Sequence, residues 1–207
     1  MSWWEDRVVP HITERSLGME EVRRRRVRVC AGLRGRVLEI GFGSGHNVAL
    51  YPDEVTEVRA VEPNDVGWRM AGRRVDQART TIHRTGLDGQ RLNEPAATFD
   101  CVLSTFTLCT IPDQRAALAE ARRVLRPGGA LHFLEHGLSP EPRVEIWQHR
   151  LEPLQRRFAG GCHLTRDHVA DMTAAGFELT DLANEYLPGP AFTKPLGYLY
   201  LGTARAA

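Results

Sequence analysis

Three glycines and one carboxylate are the residues of this chain whose spacing first points to chemistry. Gly41, Gly43 and Gly45 alternate with other residues directly after the apolar run Val37-Leu38-Glu39-Ile40. Glycines at that spacing remove side chains where backbone has to pass close to a ligand. Glu62 follows Gly41 by 21 positions and closes a second alternating stretch, Val55 to Glu62, before Pro63-Asn64. A carboxylate at the end of the second strand of an open parallel sheet can accept hydrogen bonds from both hydroxyls of a ribose. Each feature also has a plain reading: a tight glycine turn with no ligand, or a solvated strand-end glutamate. A dinucleotide turn reads G-x-G-x-x-G. Here the third glycine comes one place early and His46 stands where that pattern wants glycine, so a nicotinamide-linked oxidoreductase is the weakest option.

These residues need strands that end at a common rim. Val37 to Ile40 reads as a short buried strand, and Asn47-Val48-Ala49-Leu50 reads as the start of a helix after the glycines. Phe99 to Ser104 is a third apolar strand with a polar exit. A helix with Leu118, Ala121 and Val124 or Leu125 on its buried face runs to Arg126, where Pro127-Gly128-Gly129 stops it. Ala130 to His136 is the next strand. Alternating strand and helix from Val37 to His136 predicts βαβ units, hence a parallel sheet with right-handed crossovers. Residues 1–33 read as helices broken near Pro10 or Gly18, lying over the sheet edge or the ligand mouth as a lid. Beyond His136, the spacing of Ile146-Trp147, Leu151, Leu154 and Phe158 predicts a helix broken by Gly160-Gly161. Asp167 to Ala175 is another, ended by Gly176, and Phe177 to Leu187 and Gly197 to Arg205 are the last strands, joined through Pro188-Gly189-Pro190. With no repeat or linker, residues 1–207 form one domain: a lid segment (1–33), a cofactor-binding half (37–136) and a substrate-side half (137–207).

Taken in order, E-I-G-x-G-x-G from Glu39, V-E-P-N from Val61, F-D-x-V-x-S from Phe99 and R-V-L-R-P-G-G from Arg123 resemble the class I S-adenosylmethionine-dependent methyltransferases, from about Val37 to Ala204. Thr107 to Ile111, Phe133 to His136, Gly160 to Arg166, Asn47 and Leu50-Tyr51-Pro52 are most similar to the methyltransferase-like-seven thiol methyltransferases. Quinone and other small-molecule methyltransferases share much of this. The resemblance implies a Rossmann-like α/β fold: a seven-stranded, mostly parallel sheet of order 3-2-1-4-5-7-6, helices on both faces, the last strand antiparallel. It also implies S-adenosylmethionine as cofactor and S-adenosylhomocysteine as product. By the same resemblance Glu39, Gly41 and Ser104 hold the methionine part, with Gly43, Gly45 and Asn47 in the same loop. Glu62, followed by Pro63, holds the ribose. Leu87 to Leu92 matches the family's D-A-E-x-L-P stretch, so Asp88 reaches the adenine amino group with Gly89 beside it; Asn93 replaces the usual proline. An Asp-Gly turn needs no ligand to explain it.

The implied reaction is small-molecule methylation, with a thiol as the first acceptor. Only the thiolate is a good nucleophile, and an alkyl thiol of pKa about 8.5 is a few per cent ionised near neutral pH. A base would help: His136 at a strand end is the first candidate and His163 in the Gly-Gly-Cys-His-Leu-Thr loop the second. A strand-end histidine also has an ordinary structural reading. Amines, phenols, quinone carbons and phospholipid head groups stay open as acceptors, as does a non-catalytic module that binds the cofactor.

Composition sets the remaining bounds. With 207 residues, 42% of them hydrophobic and 26% charged, the chain is the size of one domain with a sizeable core. All but one of its 27 basic residues are arginine, Lys194 being the exception, and the net charge is only +1. Arg23 to Arg26 follows Glu20 and Glu21 with Met19, Val22 and Val29 at helical spacing, which predicts a solvated helix face rather than a nucleic-acid surface. No apolar run approaches the roughly 20 residues of a membrane span, and the start Met1-Ser2-Trp3-Trp4 lacks a signal peptide's apolar core. A cytoplasmic protein without a stable membrane anchor is expected, unlike the animal thiol methyltransferases it resembles. Cys30, Cys101, Cys109 and Cys162 contain no C-x-x-C pair, so neither a disulfide framework nor a metal site is expected. Oligomeric state is left open.

Overall fold

The computed structural model describes residues 7–206, so the first six residues of the expected lid lie outside the described part. Two helices, α1 (Val9–Leu17) and α2 (Glu20–Cys30), precede β1 (Gly35–Ile40), β2 (Val55–Val61), α3 (Asp65–Asp76), β3 (Thr81–Gly86) and β4 (Phe99–Thr105). There follow α4 (Gln114–Val124), β5 (Leu125–His136), α5 (Pro142–Phe158), α6 (His168–Ala174), β6 (Phe177–Tyr186) and β7 (Tyr198–Ala206). The strands form one sheet in the order β3-β2-β1-β4-β5-β7-β6, as expected. β1 to β5 are mutually parallel and β7 runs antiparallel to both β5 and β6.

Period-two alternation divides the strands between two cores. Val37, Cys101, Leu103 and Leu134 face α2, packing with Val22, Val29 and Cys30. Leu38, Ile40, Val102, Leu131 and Phe133 face α4, packing with Ala117, Leu118, Ala121 and Val124. Because both faces of β1 and β4 are covered, their apolar runs are nearly continuous. Strand order reverses between β1 and β4, so their carboxyl ends open a crevice at the place where open α/β sheets bind ligands.

Several local expectations are corrected. Asn47 to Leu50 is not the start of an α-helix but one 3-10 turn, Val48–Leu50. Tyr51 leaves it at φ −66°, ψ 128°, the extended conformation imposed on a residue before proline. The glycine loop therefore returns to β2 almost directly. Helix α4 ends at Val124, before the proline, because Leu125 is already extended and pairs with Phe99; β5 runs through Pro127-Gly128-Gly129. Pro10 sits in the first turn of α1, where its missing N–H is tolerated, so the break between the first helices falls at Gly18. The apolar residues of α5 keep helical spacing but are not its buried face: Ile146, Trp147, Leu154 and Phe158 are exposed, while Val144 and Gln148 are buried.

Candidate functional site

The crevice at the β1/β4 reversal is a cleft of about 630 Å³. Its size suits a cofactor-sized ligand. Gly41, Gly43, Glu62, Pro63, Asp88 and Gly89 all line it, brought together from the ends of β1, β2 and β3. Gly41 has φ +77°, and a Cβ there would lie 1.9 Å from Thr107 Oγ1, so only glycine lets the loop pass this wall. Gly43 has φ +56° and nothing within 4 Å of where its Cβ would be. That open space is a cradle for a ligand approaching the backbone.

Glu62 is buried one residue past β2. Its carboxylate accepts from the Gly43 N–H at 2.6 Å and the Asn64 N–H at 2.7 Å, which fixes it at the floor of the cleft. Burial raises its pKa, opposed by those two backbone donors. Asn64 then caps α3 through the N–H groups of Val66 and Gly67, so the ligand-facing turn and the helix start are one unit. Asp88 is exposed at the rim, where its Oδ1 accepts from Gln90 in an Asx turn.

Glu39, Gly45, Asn47 and Ser104 do not line the cleft; they lie behind its wall. Glu39 is buried, accepting from Asn47 Nδ2 at 2.9 Å and from the Tyr51 hydroxyl. Burial pushes its pKa up to about 7, against the opposing pull of Tyr51, Asn47 and Arg26. Ser104 donates at 2.7 Å to Glu135, whose buried carboxylate also accepts from the N–H groups of Thr107, Leu108 and Cys109. One carboxylate at the end of β5 thus ties down the loop that follows β4.

Arg26 is the largest omission of the sequence reading, which treated it as part of a solvated face. It is 4% exposed. It donates to Asn47 Oδ1 at 2.9 Å and Thr105 Oγ1 at 2.6 Å, lines the cleft, and keeps a buried Nε with no hydrogen-bond partner. The signal was present, because Val22, Arg26, Val29 and Cys30 fall on one helical face. Its guanidinium also lies over the ring of Phe106, 5.4 Å from the centroid. Phe106 holds φ +56°, a rare conformation for a non-glycine residue, directly where β4 ends in the cleft.

Helix α1 forms the mouth, with Val9, Pro10, Thr13 and Leu17 lining the cleft. Glu14 fastens it to the glycine loop: it accepts from Ser44 Oγ and, at 2.8 Å, from Arg74, which donates in turn to the Ser44 carbonyl. His46 lies 3.2 Å from the same carboxylate; burial, with Arg26 adding to it, pushes its pKa down to about 4.

Neither candidate base lines the cleft. His136 packs its ring on Phe106, 4.9 Å between centroids, and its Nδ1 lies 3.6 Å from Cys162 Sγ. Burial opposes its protonation, but Cys162 raises its pKa overall. Cys162 is lowered well below the ordinary thiol range, first through its hydrogen bond with the Cys109 thiol and then because His136 lies beside it. His163 bonds Glu152 at 3.0 Å. The cleft's ionisable residues are Arg26, His46, Glu62 and Asp88.

A sheet of this order, with glycines, a strand-end glutamate and a buried arginine around the crevice at its reversal, defines a class I S-adenosylmethionine-dependent methyltransferase. The open space at Gly43, the Glu62 carboxylate beside it and the positive charge of Arg26 on the cleft wall fit that cofactor's ribose and its carboxylate. Residues 38–133 match the family described as a methyltransferase domain. The chain is 34% identical over 174 residues to thiol S-methyltransferase TMT1B of Rattus norvegicus, covering 81% of this chain and 69% of that protein. It is 33% identical over 186 residues to the Homo sapiens TMT1B, covering 86% and 74%. A solved S-adenosylmethionine-dependent methyltransferase from Thermotoga maritima superposes with a TM-score of 0.68 at 19% identity, covering 98% of this chain and 97% of the other. The chain belongs to the methyltransferase family that contains these thiol S-methyltransferases, and S-adenosylmethionine is its cofactor.

Proposed function

We propose that the protein methylates the sulfur of a small apolar thiol. The observation that carries this reading is a cleft lining with apolar residues such as Val9, Leu17, Phe106 and Ile111, from which His136 and His163 are absent and whose one histidine, His46, lies against Glu14 with its pKa pushed down to about 4 by burial. Amines and phenols, with pKa values of about 10, need a group to take their proton. A thiol ionises by itself to a useful extent near neutral pH. Likeness to proteins that act as thiol S-methyltransferases supports the same acceptor.

The bound cofactor supplies a methyl group on a positively charged sulfonium, open to in-line displacement by the thiolate. The chain's residues bind and align. Glu62 accepts from the ribose hydroxyls with the lone pairs that Gly43 and Asn64 leave. Asp88 takes the adenine amino group, with Gly89 and Pro63 as walls. Arg26, which lines the cleft, lends its positive charge to the carboxylate of the methionine portion. Glu39, Asn47, Gly45 and Ser104 act from behind, holding Arg26, the glycine loop and the Thr107 loop in place. Alignment of this kind lowers the barrier of a displacement without a covalent intermediate. His136 and His163 shape the far wall without touching the acceptor, and α1 closes the mouth. The acceptor is a small molecule rather than nucleic acid. Four free buried thiols suit a reducing, cytoplasmic setting.

Transfer of a labelled methyl group to a matched alkyl thiol, phenol and amine tests the proposal. Label on the thiol is expected. Transfer to the phenol or amine in preference would overturn the acceptor assignment, and tight cofactor binding with no transfer to any of them would point to a non-catalytic role.

A further inference from the structure

Behind the Phe106 wall three side chains from distant parts of the chain converge. Cys109 comes from the loop after β4, His136 from the end of β5 and Cys162 from the loop after α5. Their donor atoms all lie within 4.8 Å of one another. Cys109 and Cys162 are 0% and 4% exposed, while His136 is only partly buried. Nothing in the proposed methyl transfer uses them.

The two separations made by Cys162 are those of ligands around a small tetrahedral ion, and the third, between Cys109 and His136, is within 4.8 Å. Bond lengths of about 2.3 Å to sulfur and 2.0–2.1 Å to imidazole nitrogen, at tetrahedral angles, place two sulfurs about 3.8 Å apart and a sulfur and nitrogen about 3.6 Å apart. Cys162 Sγ lies 3.7 Å from Cys109 Sγ and 3.6 Å from His136 Nδ1. The surroundings hold this arrangement without an ion. The His163 N–H donates to the Cys109 carbonyl at 2.8 Å, joining the two sulfur-bearing loops. Glu135 accepts from the Cys109 N–H at 3.0 Å, and Arg166 donates to the carbonyls of Leu108 and Ile111. Supporting contacts of this kind orient metal ligands and are part of a site.

We propose that Cys109, His136 and Cys162 form a three-ligand site for a thiophilic divalent cation of the zinc class, its fourth tetrahedral position taken by water or an added ligand. Two thiolates and a neutral imidazole neutralise the ion, and softness favours it over magnesium or calcium. Bound there, it would join the Thr107–Ile111 loop to the Gly160–Cys162 loop, both of which line the cleft. The spacing argument from sequence missed this site because the ligands come from three separate segments.

The full-length protein, reduced and freed of metal, is titrated with Co²⁺. One ion per chain is expected, with a thiolate-to-cobalt charge-transfer band and the intense visible bands of tetrahedral cobalt, both displaced by Zn²⁺. Cys109→Ser and Cys162→Ser should each lose the charge-transfer band's full intensity, whereas Cys30→Ala should keep it. Binding without a sulfur band, or a band unchanged in the Cys109→Ser/Cys162→Ser double variant, would overturn the proposal. Should those variants fail to fold, X-ray absorption of the zinc-loaded wild type decides: two sulfurs at about 2.3 Å are expected, and a shell of oxygen and nitrogen alone refutes the site. Neither readout depends on methyl transfer, so this site and the acceptor assignment fail separately.

Discussion

The two walls of the cleft are built by different means. The wall at the ends of β1 and β2 comes from one short segment, Gly41 to Asn64, and is held by backbone: the N–H groups of Gly43 and Asn64 converge on Glu62. The facing wall gathers α1, the loop after β4 and Gly160-Gly161, and is held by side chains far apart in sequence, through Glu14 with Arg74 and Glu135 with the Thr107 loop. In the proposed function the first wall meets chemistry common to its class, a ribose and a sulfonium, and the second meets the acceptor. Constraint by local backbone preserves one geometry, whereas constraint by distant side chains lets the acceptor end change while the cofactor end stays fixed.

Arg26 joins the two walls, so removing it should have the largest effect. It bonds Asn47, which bonds Glu39 on the first side, and it lies over Phe106 on the second. Arg26→Met removes two buried charged hydrogen bonds, to Asn47 and Thr105, and hydrogen bonds to charged groups are worth about 1.5–3 kcal/mol each. The urea midpoint should fall accordingly, and an unchanged midpoint would show that the walls are independent. Titration sharpens this. Glu39 has its folded-state pKa raised to about 7 from 4.5, chiefly by burial. Its contribution to stability is therefore fully present below pH 4.5 and is lost as pH rises through 7. Glu39→Gln should flatten that fall between pH 5 and 8 relative to the wild type.

The second-largest effect should be confined to the first wall. Glu62→Ala removes hydrogen bonds to a charged acceptor, worth about 1.5–3 kcal/mol each, or roughly tenfold to a hundredfold in cofactor affinity by calorimetry. The KM for the acceptor should stay near its wild-type value. Equal losses in both would mean that the walls move together.

The same contrast explains what could be read from sequence. Gly41, Gly43 and Glu62 were legible because each depends on a short pattern, and the strand order because the resemblance to a known family implied it. Arg26 was hidden by its neighbours: four consecutive arginines look solvated, and only the Val22, Val29 and Cys30 spacing places the last one inside. The 3-10 turn after the glycines was misread as a helix because Pro52 acts backwards on Tyr51. Helical spacing on α5 correctly gave a helix, yet periodicity marks an apolar face without saying what covers it, and Trp147 and Phe158 are exposed. The Cys109, His136 and Cys162 cluster has no local signature, since it exists only once β4, β5 and the loop after α5 are side by side.

The smallest effect should fall on the mouth. Glu14 is the anchor that α1 sends to the glycine loop, paired with Arg74 and bonded to Ser44. The pair is 39% and 30% exposed at its two side chains, and solvent-accessible ion pairs contribute no more than about 1 kcal/mol. Glu14→Gln keeps the shape and a hydrogen bond to Ser44 while removing the charge. Cofactor dissociation, followed by stopped flow, should therefore accelerate by only about two- to fivefold. Moderate salt, which screens exposed charges over about 10 Å at 0.1 M, should speed the wild type more than the variant. If Glu14→Gln instead leaves dissociation unchanged while Thr13→Trp, on the cleft-facing side of α1, alters it, the helix contacts the ligand without being latched. If neither variant changes the rate, α1 does not close the cleft, and the acceptor enters across a mouth that is permanently open.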